Sequence, residues 1–394
     1  MDNAYNELPD FVAGPTSLTE YYSQTYNKHI YIFGEIHGMS EGECQKFTQD
    51  ITQVLPIHKF IEQLVRIQPP GQVIDVFLEA DKRIIGLSSF IEYSSIDENN
   101  YDDLNNLRQY FRPYLTIGKR YDPLGFRDPD TGEPRVRFHY SDVRPSFVDY
   151  CNFRPEFYIE SINENDENIF NYTMKDILKL LCVTRLIIHS TGNEFINYLE
   201  SNQIPYPLEE WYLEMVNSIN PVILNLIEDN VGLTKEIQKI SDKKLRNWFK
   251  NHIKNTRENL IIQIKQNLEM MEYIHLHEPE YFNQAFEECV GFIDQRLLTY
   301  IMDYYLITRI FKTVSGGPSF DRVIIYAGNA HSKFYCEILE ELGFELINHI
   351  DNEPTKCVDI RSFKPFFNIG LHSPKRRKKP SRFQHDNIED KLFM

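Results

Sequence analysis

Apolar residues along the chain fall into two patterns. Short runs rich in Ile, Val, Phe and Tyr recur in both the first third and the last fifth: HIYIFG (29–34), VIDVFLE (73–79), RVRFHYSDVR (135–144) and DRVIIYAGNAH (321–331). Each ends in glycine, charge or a turn, the signature of a strand. Between the first two, SEGECQKFTQDITQVL predicts a helix that is interrupted at Pro56 and resumes to about Ile67, before the PPG turn at 69–71. After the last of them, SKFYCEILEELG predicts an amphipathic helix with Gly343 as its C-cap, and FELINHI and KCVDI predict closing strands. From about 167 to 312 the apolar positions recur every three or four residues instead, as in DILKLLCVTRLIIH, EEWYLEMVNSI and the runs 235–275 and 280–312.

Strand–helix–strand order with long crossovers predicts an α/β fold, with a mainly parallel central sheet flanked by helices. The expected domain is discontinuous, built from 28–150 and 316–362, with a helical insertion over 151–315 between the two halves of the sheet. The polar stretch 94–134 reads as a long loop of the kind that shapes a site. The tail 371–394 is poor in apolar residues and reads as disordered.

Composition narrows the function classes. The chain has 394 residues, 42% of them hydrophobic and 25% charged, with 27 Phe and 24 Tyr to fill a core. Wholesale disorder and collagen-like classes are excluded. The formal net charge of -16 repels polyanions, so contact with nucleic acid would have to run through a local basic cluster such as KRRKK (Lys375–Lys379). No apolar run reaches the ~18 residues of a membrane span, and no leader-like segment follows the start. The six cysteines, at 44, 151, 182, 289, 336 and 357, lie far apart without a CxxC pair. They read as reduced thiols of an intracellular, cytoplasmic protein, with Lys375–Lys379 as a nuclear-import alternative.

One helix carries a charge stripe. Lys239, Lys243, Arg246, Lys250, Lys254 and Arg257 follow a three–four spacing that puts them on one face. The stripe reads as the wet face of a surface helix, with a docking strip for an anionic partner as the alternative.

The chemistry concentrates at strand ends. Gly34-Glu35-Ile36-His37 closes the first strand, and Gly328-Asn329-Ala330-His331 closes the strand after the insertion. In open α/β sheets ligands collect at the carboxyl ends of strands, so both turns are expected at one edge. Glu79 ends the second strand, where an apolar run gives little reason to desolvate a carboxylate, and Arg83 follows it. His139, Asp142 and Arg144 belong to the third strand and its end. Two histidines and one glutamate, His37, His331 and Glu79, would form a three-ligand set with room for water, as in catalytic metal sites. Glu35 is the candidate base, and Arg83 or Arg144 the candidate oxyanion partner. The same residues admit plainer roles: histidines that merely close turns, a Glu79–Arg83 ion pair, and a His139–Asp142 strand pair.

GEIH, FLEADKR and YAGNAH in that order resemble the superfamily that joins TraB/PrgY proteins, Tiki metalloproteases, erythromycin esterases and ChaN-type haem-binding proteins. Gly34 and His37 match its first Gly-x-x-His turn, Glu79 and Arg83 its middle motif, and Gly328 and His331 its second turn. Glu35 matches the esterase form of the first turn. The resemblance covers three short patches and leaves 150–315 unmatched. It implies a hydrolase acting on an ester or amide of a small molecule or peptide, through water activated either by a divalent transition metal (Mn, Co or Zn) or by Glu and His alone. The alternatives are a haem or small-ligand binding protein using the same cleft, and a catalytically inactive interaction or structural protein.

Overall fold

The computed structural model describes residues 8–36, 43–69, 71–81, 134–142, 232–278, 299–313 and 320–367, together with isolated residues 107, 110, 111, 127, 132, 281 and 296. The elements in chain order are β1 (Phe11–Ala13), β2 (Ser17–Ser23), β3 (Lys28–Glu35), β4 (Val54–Pro56), α1 (Ile57–Ile67), β5 (Ile74–Asp81), β6 (Val136–Asp142), α2 (Leu233–Gln238), α3 (Lys243–His277), α4 (residues 299–311), β7 (Arg322–Gly328), α5 (Asn329–Glu341), β8 (Glu345–Asp351) and β9 (Cys357–Asp359).

Among the described residues, six strands form a sheet in the order β6-β5-β7-β3-β2-β8. Pairings β5–β6, β5–β7 and β3–β7 are parallel, whereas β2 is antiparallel to both β3 and β8. The fold is therefore α/β, with a mainly parallel sheet and flanking helices. The sheet reaches N-terminally of residue 28, because β2 joins it as well. A smaller sheet, β4-β1-β9, lies beside it.

Strand alternation sorts the side chains onto two faces. Leu18, Tyr31, Phe33, Ile74, Val76, Leu78, Ile324 and Tyr326 share one core with Ile57, Phe60, Ile61, Leu64 and Val65 of α1. The α1 positions step by three and four, so the helix buries a single stripe. Each such side chain at or near 0% exposure contributes about 1.5–3 kcal/mol through lost apolar surface. The other face is covered by helices: Tyr21 donates to Glu340 of α5 at 2.8 Å, and the buried Lys28 lies over the ring of Phe311 in α4.

The predicted helix over 40–55 gives way to something else. Residues Glu43–Lys46 and Ile51–Gln53 form short 3-10 turns, and Val54–Pro56 is a strand paired with β1. The Asp50 carboxylate accepts from Thr52 N at 3.0 Å, so local side-chain bonding competes with a continuous helix.

The reading of all six cysteines as reduced thiols is also corrected. Cys44 and Cys357 form a disulfide that fastens the segment after the first turn to β9. Pairing across 313 positions of sequence has no spacing signature; tertiary proximity alone creates it. The cysteine argument for an intracellular protein falls with it. Among the described residues no helix is long and apolar enough to cross a membrane.

Within 151–315 the described residues are largely helical, and α4 is buried from Tyr300 to Phe311. The basic stripe does not lie on one helix: Lys239 caps the end of α2, and the other five cations fall on α3. Lys239 pairs with Glu236, Lys254 with Glu258, and Arg257 is buried. The tail 371–394, most of the 94–134 loop and the segments around Cys151 and Cys182 lie outside the described residues.

Candidate active site

The two Gly-x-x-His turns leave adjacent strands. β3 and β7 pair in parallel, with Gly34 opposite Ala327 and Glu35 opposite Gly328, so their carboxyl ends coincide. Asn329, in the second turn, is held beside the end of β3 by residues of β2 and its approach and by Glu353. Asn329 Nδ2 donates to Thr16 Oγ1 at 2.9 Å and also to Glu353, while its Oδ1 accepts from Ser17 Oγ at 3.1 Å. Gly34 leaves the space in which Asn329 sits.

On the next strand of the sheet, β5, Glu79 is 2% exposed and its Oε2 accepts from Gly328 N–H at 3.0 Å. That N–H is at the start of α5, where the helix presents unsatisfied donors and favours negative charge. His331 follows in the first turn of α5, 7% exposed. Its Nε2 faces Glu79 Oε1 at 3.6 Å, and its Nδ1 lies 2.6 Å from Asp303 Oδ1 of α4. The Asp303 carboxyl is held above the ordinary carboxylate range, chiefly by burial. His331 and the Tyr335 hydroxyl oppose that rise, and Glu79 adds to it.

The result is a buried acid–imidazole–acid chain: Asp303, His331, Glu79. One imidazole nitrogen is occupied by a carboxylate while the other faces a second carboxylate. An imidazole held this way suits metal ligation or proton transfer through Nε2.

Glu35 is not part of that chain. Alternation along β3 sends its side chain to the face of Phe33, where it accepts from the Tyr326 hydroxyl. Glu79 projects from the opposite face, in phase with Asp75 and Phe77. His139 is likewise committed elsewhere. Its Nε2 lies 2.8 Å from Asp75 Oδ1, its ring stacks on Phe77, and Arg137 bonds the same carboxylate twice at 2.6 Å. Asp75, rather than Asp142, is thus its partner; Asp142 ends β6 opposite Asp81. Burial holds the His139 imidazole below its ordinary pKa, against the pull of Asp75. His37, Arg83 and Arg144 lie outside the described residues. Among the described residues no three His, Cys, Asp or Glu side chains are grouped to hold a metal ion, and His331 and Glu79 supply two candidate ligands.

Sequence reading missed Asp303 and Tyr326. Asp303 carried a signal: it is the lone charge in the otherwise uncharged stretch YIMDYYLIT (300–308). Nothing local in Tyr326 tells which carboxylate it meets. Comparison with models of protein families, with characterised proteins and with solved structures finds no match.

Proposed function

We propose that the chain is a hydrolase of the Tiki/erythromycin-esterase kind, working at the carboxyl ends of β3, β5 and β7. The observation that supports this reading is the 3.6 Å approach of His331 Nε2 to Glu79 Oε1, in a chain whose far end is Asp303. Two buried carboxylates around one imidazole form a costly arrangement for simple stability, because each acid must be desolvated.

In the metal form, His331 and Glu79 are two ligands and His37, at the end of the neighbouring turn, is the third. A divalent transition ion bound there would lower the pKa of water and polarise a carbonyl. The donor set of two imidazoles and one carboxylate suits Mn, Co or Zn. In the metal-free form, His331 takes the proton of the attacking water at Nε2 while Asp303 holds Nδ1. Glu79, fixed by Gly328 N–H, orients that water. Glu35 has no assigned part in proton transfer, since Tyr326 engages it on the other face of the sheet. Arg83 or Arg144 is proposed to meet the developing oxyanion. The substrate class is a small-molecule ester or a peptide. Haem binding draws less support, because a carboxylate already faces Nε2 of His331.

The test uses purified full-length protein. Metal content, the absorption spectrum and hydrolysis of generic esters and peptides are measured for wild type, His37→Ala and His331→Ala. Turnover lost in both variants is the expected result. Turnover surviving in either one, or a Soret band without turnover, overturns the proposal.

A further inference from the structure

We infer that Asp303, on a helix outside both Gly-x-x-His turns, is a positioning residue for His331: it keeps the last imidazole proton on Nδ1, so that Nε2 presents its lone pair toward Glu79. This deepens the proposed function and rests on its reading that His331 works through Nε2.

The geometry carries the argument. Asp303 is 1% exposed, and its Oδ1 stands 2.6 Å from His331 Nδ1. The opposite nitrogen is 3.6 Å from Glu79, too long for a hydrogen bond to fix the ring from that side. Of these two acids, Asp303 is the one within hydrogen-bond reach of the ring. An acid amid Ile301, Met302 and Tyr304 also opposes the burial of its helix, so its burial needs a partner that the apolar stretch cannot supply.

The helix that bears Asp303 is itself anchored on both sides. Tyr304 bonds His252 Nδ1 at 2.5 Å and Thr256 Oγ1 at 2.7 Å, both on α3. Five residues past Tyr304, Arg309 Nη1 donates to Tyr140 O of β6 at 2.8 Å. These contacts hold α4 in register against α3 and the sheet, so the Asp303 carboxylate meets His331 without a search. The helical region between the two halves of the sheet thus supplies a working part of the site. Such outer partners of a functional histidine set its tautomer and ring orientation, and losing one typically costs about 10–100-fold in metal affinity.

The decisive measurement is two-bond ¹H–¹⁵N correlation of the histidine rings in ¹⁵N-labelled full-length protein, with the His331 signals assigned by their absence in His331→Gln. The pH is raised until the ring carries a single proton. The expected result is that this proton sits on Nδ1 in wild type and moves to Nε2 in Asp303→Ala. A wild-type ring protonated on Nε2, or a pattern unchanged by Asp303→Ala, overturns the inference. If Asp303→Ala fails to fold, the wild-type tautomer alone decides. A parallel titration with Co²⁺ alone separates the two levels of argument. Wild type that binds no Co²⁺ counts against the metal form of the proposed function, while the tautomer result still judges Asp303.

Discussion

The side chain of Asn329 occupies the space that a β-carbon on Gly34 would take, with its Oδ1 against that point. Two turns remote in sequence are fitted to each other there. Ser17 Oγ, at 2.5 Å from the same point, closes the third side. Gly34→Ala is expected to destabilise the protein by about 1–3 kcal/mol through overpacking. Asn329→Gly in the same chain should recover part of that loss. Denaturant unfolding of the two single variants and the double variant checks this as a cycle; strict additivity would show that the two sites do not touch.

Asp75 is fully buried and bonds both Arg137 and His139. Asp75→Ala leaves Arg137 without its bidentate partner in a half-buried setting. The expected loss of stability is about 3–5 kcal/mol, read by denaturant unfolding. A change below about 1 kcal/mol would show that the cluster is solvated in solution.

Lys28 is 7% exposed and donates to Phe320 O at 2.6 Å. Burial lowers its pKa from 10.5 to about 8, partly offset by Asp321 and Asp75. Between those two values the unfolded chain binds more protons than the native one, so stability rises with pH. Below about 8 both states are charged and the burial penalty is at its full size; above 10.5 it is gone. The stability of wild type relative to Lys28→Met should therefore climb across this window, by up to about 3 kcal/mol. Unfolding curves at neutral, intermediate and alkaline pH measure it, and a flat difference refutes it.

Cys44 and Cys357 lie in a small cluster with Phe11. Peptide mapping without reductant should recover the two cysteines in one linked species. The Cys44→Ser/Cys357→Ser variant should lose about 2–5 kcal/mol of stability, because the cross-link closes a very long loop. Equal stability of the variant and oxidised wild type would place the bond's role elsewhere.

Much of the sheet was legible in the sequence because a strand announces itself locally. HIYIFG, VIDVFLE and RVIIYAG are apolar, β-branched and bounded by turns, and each became a strand within a residue or two of its expected limits. Local bonding around Asp50 defeated the expected helix, since the competing partners are short polar side chains that a periodicity count ignores. The parallel pairing of β3 with β7 brings Gly34 and Gly328, where the two Gly-x-x-His motifs begin, to one edge of the sheet.

By itself, the sequence determined the strands β3, β5, β6 and β7 and the helix that follows Gly328, and which strand ends carry glycine and glutamate, because backbone propensity and apolar period act over a few residues. Tertiary structure alone decided which acid each imidazole meets: Asp303 for His331, Asp75 for His139, and the Tyr326 hydroxyl for Glu35. The physical reason is that a hydrogen bond of under 3 Å depends on face, register and helix placement together. A one-residue step along a strand, such as that from Gly34 to Glu35, sends a side chain to the opposite side of the sheet.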